Sequence, residues 1–217
     1  MTILALEFSS EQRSVAVAHG NSVFEAAETG GRSTAAFAMI ERVLAEAKIE
    51  REEIEAIAIG IGPGSYTGIR AAIAMAQGWQ LARAVKLLGV SSVEAIAAQA
   101  QMEKIFGEVN VVVDAQRGEI YLARFEISET AIKEIEPLKI ISPEKISFGE
   151  DARVNLIGPE ATKWFPSGKI IFPRAATVAQ LAAKKSDFVS GEKLEPIYLR
   201  EVNFVKAALK NPPIAKF

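Results

Sequence analysis

Residues Ile59–Arg70 read I-G-I-G-P-G-S-Y-T-G-I-R. The apolar run Ile54–Ile61 predicts a strand, which enters a turn carrying Gly60, Gly62, Pro63, Gly64 and Gly68; a helix follows. Glycine lets the backbone take positive φ and lets another group approach the main chain closely. Ser65 or Thr67 is placed to cap the helix, whose first N–H groups lack partners and carry partial positive charge. Such a turn can hold an anion or serve as a tight structural corner. No lysine follows the glycines as a phosphate-binding P-loop requires, which favours the corner.

Outward from this turn the chain repeats itself. Thr2–Phe8 is an apolar run ending near Glu7, followed by a polar turn, Ser9–Arg13, and an alternating strand, Ser14–Ala18. From Glu108 the pattern recurs: Val109–Val113 is apolar, Asp114 ends it, Ala115–Glu119 turns, and Ile120–Phe125 returns. An acidic residue closes the first strand of each half, which suggests duplication. Helices are predicted over Ser33–Lys48, over Gly68–Lys86, and from Ser91, where Ser91-x-x-Glu94 fits a capping box. Lys169–Phe172 reads as a strand, and Thr177-x-x-Gln180 as a second capping box opening a helix to about Phe188. The tail after Arg200 is weakly patterned, and Asn211–Pro212–Pro213 does not continue a helix. Strands alternating with helices indicate an α/β fold with mixed sheets, divided near Lys104–Gly107 into residues 1–106 and 107–217.

Composition removes several chemistries. The 217 residues carry a net charge of −2, with no cationic surplus for autonomous nucleic-acid binding. Cysteine is absent and His19 is the only histidine, so zinc sites built from His and Cys are excluded. His19 falls at the polar end of a hairpin, where a surface or turn role is expected. A Ser-His-Asp arrangement would need it, and Ser9, Ser65 and Thr67 otherwise lack a base. No apolar run approaches the roughly 20 residues that span a bilayer, and no signal peptide precedes the first strand, so a cytoplasmic protein is expected.

Five segments in order from Leu4 to Arg200 (L-A-L-E-F-S-S, G-P-G-S-Y-T-G-I-R, G-V-S-S-V-E-A-I-A, D-A-Q-R-G-E-I-Y and P-I-Y-L-R) resemble the TsaB (YeaZ) family. The resemblance implies two actin-like (ASKHA, ribonuclease H-like) domains with mixed sheets flanked by helices. It further implies a non-catalytic partner of the TsaD-type transferase, which makes threonylcarbamoyladenosine next to the anticodon of ANN-decoding tRNAs. The implied partners are that transferase, the TsaE-type ATPase and, through the complex, tRNA. No cofactor is implied for the chain alone, with ATP or ADP at the seam with partner proteins. TsaD-type proteins carry a histidine pair on the first helix as metal ligands. Here the segment Gly31–Phe37 has no histidine, and no metal is expected. The chain also departs from the family's Asp-Thr-Ser after the first strand, reading Glu7–Phe8–Ser9 instead.

The helix Gly68–Lys86 has two apolar stripes. Ile69, Ala72, Ile73 and Ala76 form one; Ala71, Ala74, Met75, Gly78 and Ala82 form a second made mostly of small residues. A helix apolar on two faces is either wholly buried or covered by a partner. The resemblance assigns the first two helices to a bundle with the TsaD-type protein, giving Phe37, Ile40 and Leu44 on the first and Ala71, Ala74, Met75, Gly78 and Ala82 on the second as interface. The same helices could pair two copies of the free chain. Glu7, Gly62, Gly64, Ser65, Thr67, Gly68 and Asp114 form a candidate vestigial nucleotide loop, with hairpin capping as the alternative for the two carboxylates. Arg70, Arg117 and Arg200 either solvate a face or contact phosphate. The rival functions are an ATPase or small-molecule kinase using Glu7 and Asp114, and a peptidase.

Overall fold

A computed structural model describes residues 1–30, 35–146 and 155–200. Ser33 and Thr34 at the start of the first predicted helix, most of the Gly31–Phe37 segment, and Asn211–Pro212–Pro213 lie outside the described residues.

Two five-stranded sheets share one topology. The first has the order β3-β2-β1-β4-β5, from β1 (Ile3–Glu7), β2 (Gln12–His19), β3 (Ser22–Thr29), β4 (Ala56–Gly60) and β5 (Lys86–Val90). β1, β2 and β3 run antiparallel as a meander, while β4 and β5 run parallel to β1. The second sheet, β10-β9-β6-β7-β8, repeats this with β6 (Gly107–Gln116) central. Its meander is β6, β7 (Glu119–Ile127) and β8 (Ile132–Ile141); β9 (Asn155–Gly158) and β10 (Lys169–Ile170) are the parallel pair. The duplication read from two acid-ended hairpins therefore extends to strand order. This is an α/β fold of actin-like, ribonuclease H-like halves.

Helices α1 (Ala36–Ala47) and α2 (Tyr66–Ala82) lie on one face of the first sheet, where Met39, Ile40, Val43 and Leu44 meet Leu4, Leu6, Val15 and Val17. The opposite face carries α5 (Ala175–Ala182), whose Val178 and Ala179 pack on Ile3, Ala5 and Ala16. Helix α3 (Ser92–Met102) is apolar on two sides because it is sandwiched: Ala95 faces the first sheet's core, and Val93, Ile96, Ala97 and Ala100 face the second's. Short α4 (Ala161–Trp164) follows β9; Trp164 packs on the far face of the second sheet with Leu122 and Leu156. Burial of these faces contributes about 25 cal/mol per Å² of apolar surface removed from water.

Several sequence expectations need correction. Helix α2 ends at Ala82, with Arg83 extended (φ −147, ψ 136), so residues to Lys86 are not helical and Lys86–Val90 is a strand. Strands β3, β5, β8 and β9 were not expected. β8 alternates Lys and Glu with apolar residues and holds Pro137, as suits an edge strand. Ser91 does precede α3, but its side chain makes no capping hydrogen bond, and Glu94 is paired with Lys185. Thr177 is a buried interior residue of α5 and no cap. The helix N-terminus is instead satisfied from the first sheet: Ala175 N–H donates to Ser14 Oγ (2.8 Å) and Ala176 N–H to Glu25 Oε1 (3.0 Å). His19 is exposed at the end of β2, its Nδ1 2.8 Å from Thr2 Oγ1.

Candidate functional site

The glycine-rich turn joins β4 to α2, and Ser65 caps the helix by accepting from Gly68 N–H at 3.4 Å. Three glycines here make room for three consecutive residues at the end of β1. A Cβ on Gly60 would lie 1.8 Å from Glu7 Oε2, on Gly68 2.0 Å from the Phe8 carbonyl oxygen, and on Gly64 2.1 Å from that of Ser9. Gly64 also has φ +148, a conformation closed to L side chains. The Ser65 N–H donates to the Ser9 carbonyl at 2.6 Å. The chain's own first turn thus fills the space against this corner.

Glu7 is wholly buried. Its Oε1 accepts from Ser9 N–H (2.7 Å) and its Oε2 from the Ser92 hydroxyl (2.9 Å), while Ser92 Oγ accepts from Gly62 N–H (3.2 Å). Burial pushes the Glu7 carboxyl above the usual glutamate range, and the bonds from Ser9 and Ser92 act in the opposite direction. This network ties the first strand, the glycine turn and the start of α3 together. Nothing in the sequence singled out Ser92 beyond its place beside a helix cap.

A polar cleft of about 500 Å³ opens between the two halves. The first half contributes the Ser9–Glu11 turn and the Gly64–Thr67 helix start; the second contributes Asp114, Tyr121 and Glu160, with Tyr198 and Arg200 from the final described segment. Of the candidate loop residues, Gly64, Ser65, Thr67 and Asp114 line this cleft, whereas Glu7, Gly62 and Gly68 lie behind it. Asp114 Oδ1 accepts from Gln116 N–H at 2.7 Å and Oδ2 from Lys163 Nζ at 2.5 Å, so it closes its own hairpin and pairs with α4. Glu160 accepts from Asp114 N–H at 3.2 Å. Burial raises the Glu160 carboxyl above its usual range, and the Asp114 and Glu11 carboxylates add to this, against the bond from the Asp114 amide. Arg200 donates to the Ala115 carbonyl (2.9 Å) and pairs with Glu119 (2.8 Å). Arg117 is exposed at the hairpin tip, and Arg70 donates to the Tyr66 hydroxyl at 2.5 Å. Sequence reasoning missed Glu160 and Tyr198; the Gly158–Pro159–Glu160 turn after an apolar run was the available signal. Among the described residues no group of three or more His, Asp or Glu side chains is placed to hold a metal ion.

The outer side of the α1/α2 layer is a second feature. Phe37 is 68% exposed, whereas Ile40 (2%) and Leu44 (4%) sit in the core beneath α1. Ile40 and Leu44 therefore do not belong to an outward face: they point at the sheet, and Phe37 points away. On α2, Ala71, Ala74, Gly78 and Ala82 are exposed and Met75 is half-buried, with Leu81 beside them 91% exposed.

Residues 32–212 match the family model described as "TsaD: tRNA N6-adenosine threonylcarbamoyltransferase". The chain is 28% identical to the tRNA threonylcarbamoyladenosine biosynthesis protein TsaB of Escherichia coli, over 92% of this chain and 95% of that protein. The chain belongs to this family, in its TsaB (YeaZ) group. The Haemophilus influenzae TsaB is 29% identical over 95% of this chain and 97% of its own length. Among solved structures, YeaZ from Pseudomonas aeruginosa superposes with a TM-score of 0.80 at 27% identity, covering 91% of this chain and 99% of that one. The likeness to TsaB relatives thus spans both sheets. Among the described residues no helix is long and apolar enough to cross a membrane.

Proposed function

We propose that this chain is a non-catalytic subunit that binds and activates the TsaD-type transferase in threonylcarbamoyladenosine modification of the adenosine next to the anticodon of ANN-decoding tRNAs. The names of the TsaB relatives support the pathway. The observation that carries the partner role is the outward face of α2, where Ala71, Ala74, Gly78 and Ala82 stand exposed beside Leu81. Small side chains let a second helix approach closely, and an exposed leucine gains by being covered. In this reading the complex works in the cytoplasm. The TsaE-type ATPase docks on the assembled pair, ATP or ADP sits at the seam, tRNA is met through the complex, and the free chain can pair with itself through the same helices.

Light scattering on a sizing column tests this, with the chain alone and then mixed with the TsaD-type protein of the same organism. The expected result is a one-to-one complex that Gly78→Arg weakens; a Cβ at Gly78 meets nothing within 4 Å, so the substitution starts into open space. Separate elution at tens of micromolar would remove the proposal.

The open cleft favours one rival, an ATPase or small-molecule kinase using Asp114. It requires magnesium-dependent ATP turnover by the isolated chain, abolished by Asp114→Ala. Against it stand the filled glycine corner and the engagement of Asp114 by Lys163. A peptidase has less support, since Ser65 Oγ caps a helix and His19 lies at the far end of β2 from the turn to β1.

A further inference from the structure

The two halves are packed together at one place and open at another. Where they are packed, α3 belongs to both cores, with Ala95 against the first sheet and Val93, Ile96, Ala97 and Ala100 against the second. A shared helix holds two bodies together but leaves them a rotation about it, and relative motion is the default unless something else bridges them. Where they are open lies the cleft. Ser10, Glu11 and Arg13 line it from the first half, and Asp114, Gln116 and Glu160 from the second. These polar groups keep their water and supply no apolar adhesion. Among the described residues no ion pair joins residues 1–90 directly to residues 107–171.

The final described segment spans this gap. Its near end is fastened to the first half at successive points. Val189 N–H donates to the Leu87 carbonyl (2.9 Å), Gly191 N–H to Gln80 Oε1 (2.9 Å), and Gln77 Nε2 to the Gly191 carbonyl (2.8 Å). Leu194 is buried in the core under α1 and α2, and Ile197 N–H donates to the Ile61 carbonyl at 2.8 Å. Tyr198 then meets Tyr66 edge to face, with ring centroids 5.6 Å apart. The far end is held by the β6–β7 hairpin of the second half. There Arg200 Nη2 is shared among the carbonyls of Ala115 (2.9 Å) and Gln116 (3.4 Å) and the Glu119 carboxylate (2.8 Å). The main chain from Ile197 to Arg200 reaches roughly 10 Å at full extension. A tether that short, fixed at both ends, limits how far the hairpin can move from Ile61. The planar fork of arginine suits a cluster of main-chain and carboxylate oxygens in a way that a lysine ammonium does not.

We propose that Arg200 is a latch that sets the opening of the cleft, holding the β6–β7 hairpin to the first half while α3 serves as the pivot. The latch needs no partner and is independent of the transferase reading. The test is electron–electron double resonance on the full chain, with nitroxide labels at Glu28→Cys and Glu144→Cys. Both positions are exposed, and they lie near the cleft ends of the first and second sheets. The chain has no cysteine of its own, so the two labels are unambiguous. With Arg200 in place the labels should report one narrow distance. Arg200→Ala should lose that single distance to a broad population, and Arg200→Lys should fall between the two. Hydrogen exchange in β1 and β6 should keep native protection in both variants, which separates a loosened cleft from a loosened fold. A narrow, unshifted distance in Arg200→Ala would overturn the latch, as would a broad distribution with Arg200 in place. If Arg200→Ala loses protection in the core, Arg200→Lys decides, and an unshifted narrow distance there overturns the latch.

Discussion

Gly64 faces the carbonyl of Ser9 so closely that a Cβ there would stand 2.1 Å from the oxygen. This contact makes the glycine turn a fitted joint between the first strand and the second helix. Gly64→Ala is expected to destabilise the fold by about 2–4 kcal/mol, from steric overlap and a forbidden φ. Gly78→Ala, in open space on a helix, should instead stabilise by about 0.5–1 kcal/mol. Urea melts of the two variants check both; equal effects would contradict the joint.

Glu7 gives a pH signature. Its folded carboxyl titrates above the unfolded value, so the folded state holds a proton that the unfolded chain has already lost. Its contribution is complete below the unfolded range and declines as pH rises through the folded one. Glu7→Gln keeps an acceptor for Ser9 N–H and sets an amide N–H donor where Oε2 accepts from the Ser92 hydroxyl, without the ionisation. Urea melts at pH 5 and pH 8 should show the variant gaining on the native protein toward pH 8, and no change in their difference would contradict the assignment.

Ser14 and Glu25 cap a helix some 150 residues away in sequence. Ser14→Ala should cost about 1–2 kcal/mol by leaving the buried Ala175 N–H without an acceptor. Hydrogen exchange should localise the change to the first turn of α5; protection lost only within β2 would contradict the cap.

Ile40 and Phe37 lie three residues apart on α1 and should behave oppositely. Ile40→Ala removes a core side chain and is expected to cost about 2–5 kcal/mol. Phe37→Ala should stay within about 0.5 kcal/mol of native. Thermal melts distinguish them, and a large loss at Phe37 would mean that it packs inward.

Asp114→Ala breaks the hairpin closure at Gln116 and the Lys163 pair, and is expected to cost about 1–2 kcal/mol. Phosphate release by the isolated chain in ATP and magnesium should be at background before and after the change. Turnover lost with Asp114 would establish the ATPase reading instead.

The amino-acid pattern alone carried the α/β class, the duplicated hairpin, the strand–glycine–helix joint and the family. These rest on local periodicity, turn chemistry and ordered short motifs, which depend on near neighbours. The short strands β5 and β9 escaped because four or five apolar residues beside a helix or turn have no period of their own, and β8 because an edge strand is half charged. Tertiary structure decided the rest, since each remaining question concerned which distant group a side chain meets. Periodicity placed Ile40 and Leu44 on an apolar stripe of α1, but only the sheet beneath shows that this stripe is the core. Thr177 looked like a helix cap until Ser14 and Glu25 arrived from two other strands. Glu7 and Asp114 occupy equivalent places in the repeat, yet one is sealed behind Gly60 and the other faces a cleft, because burial is set by what packs on top of a residue.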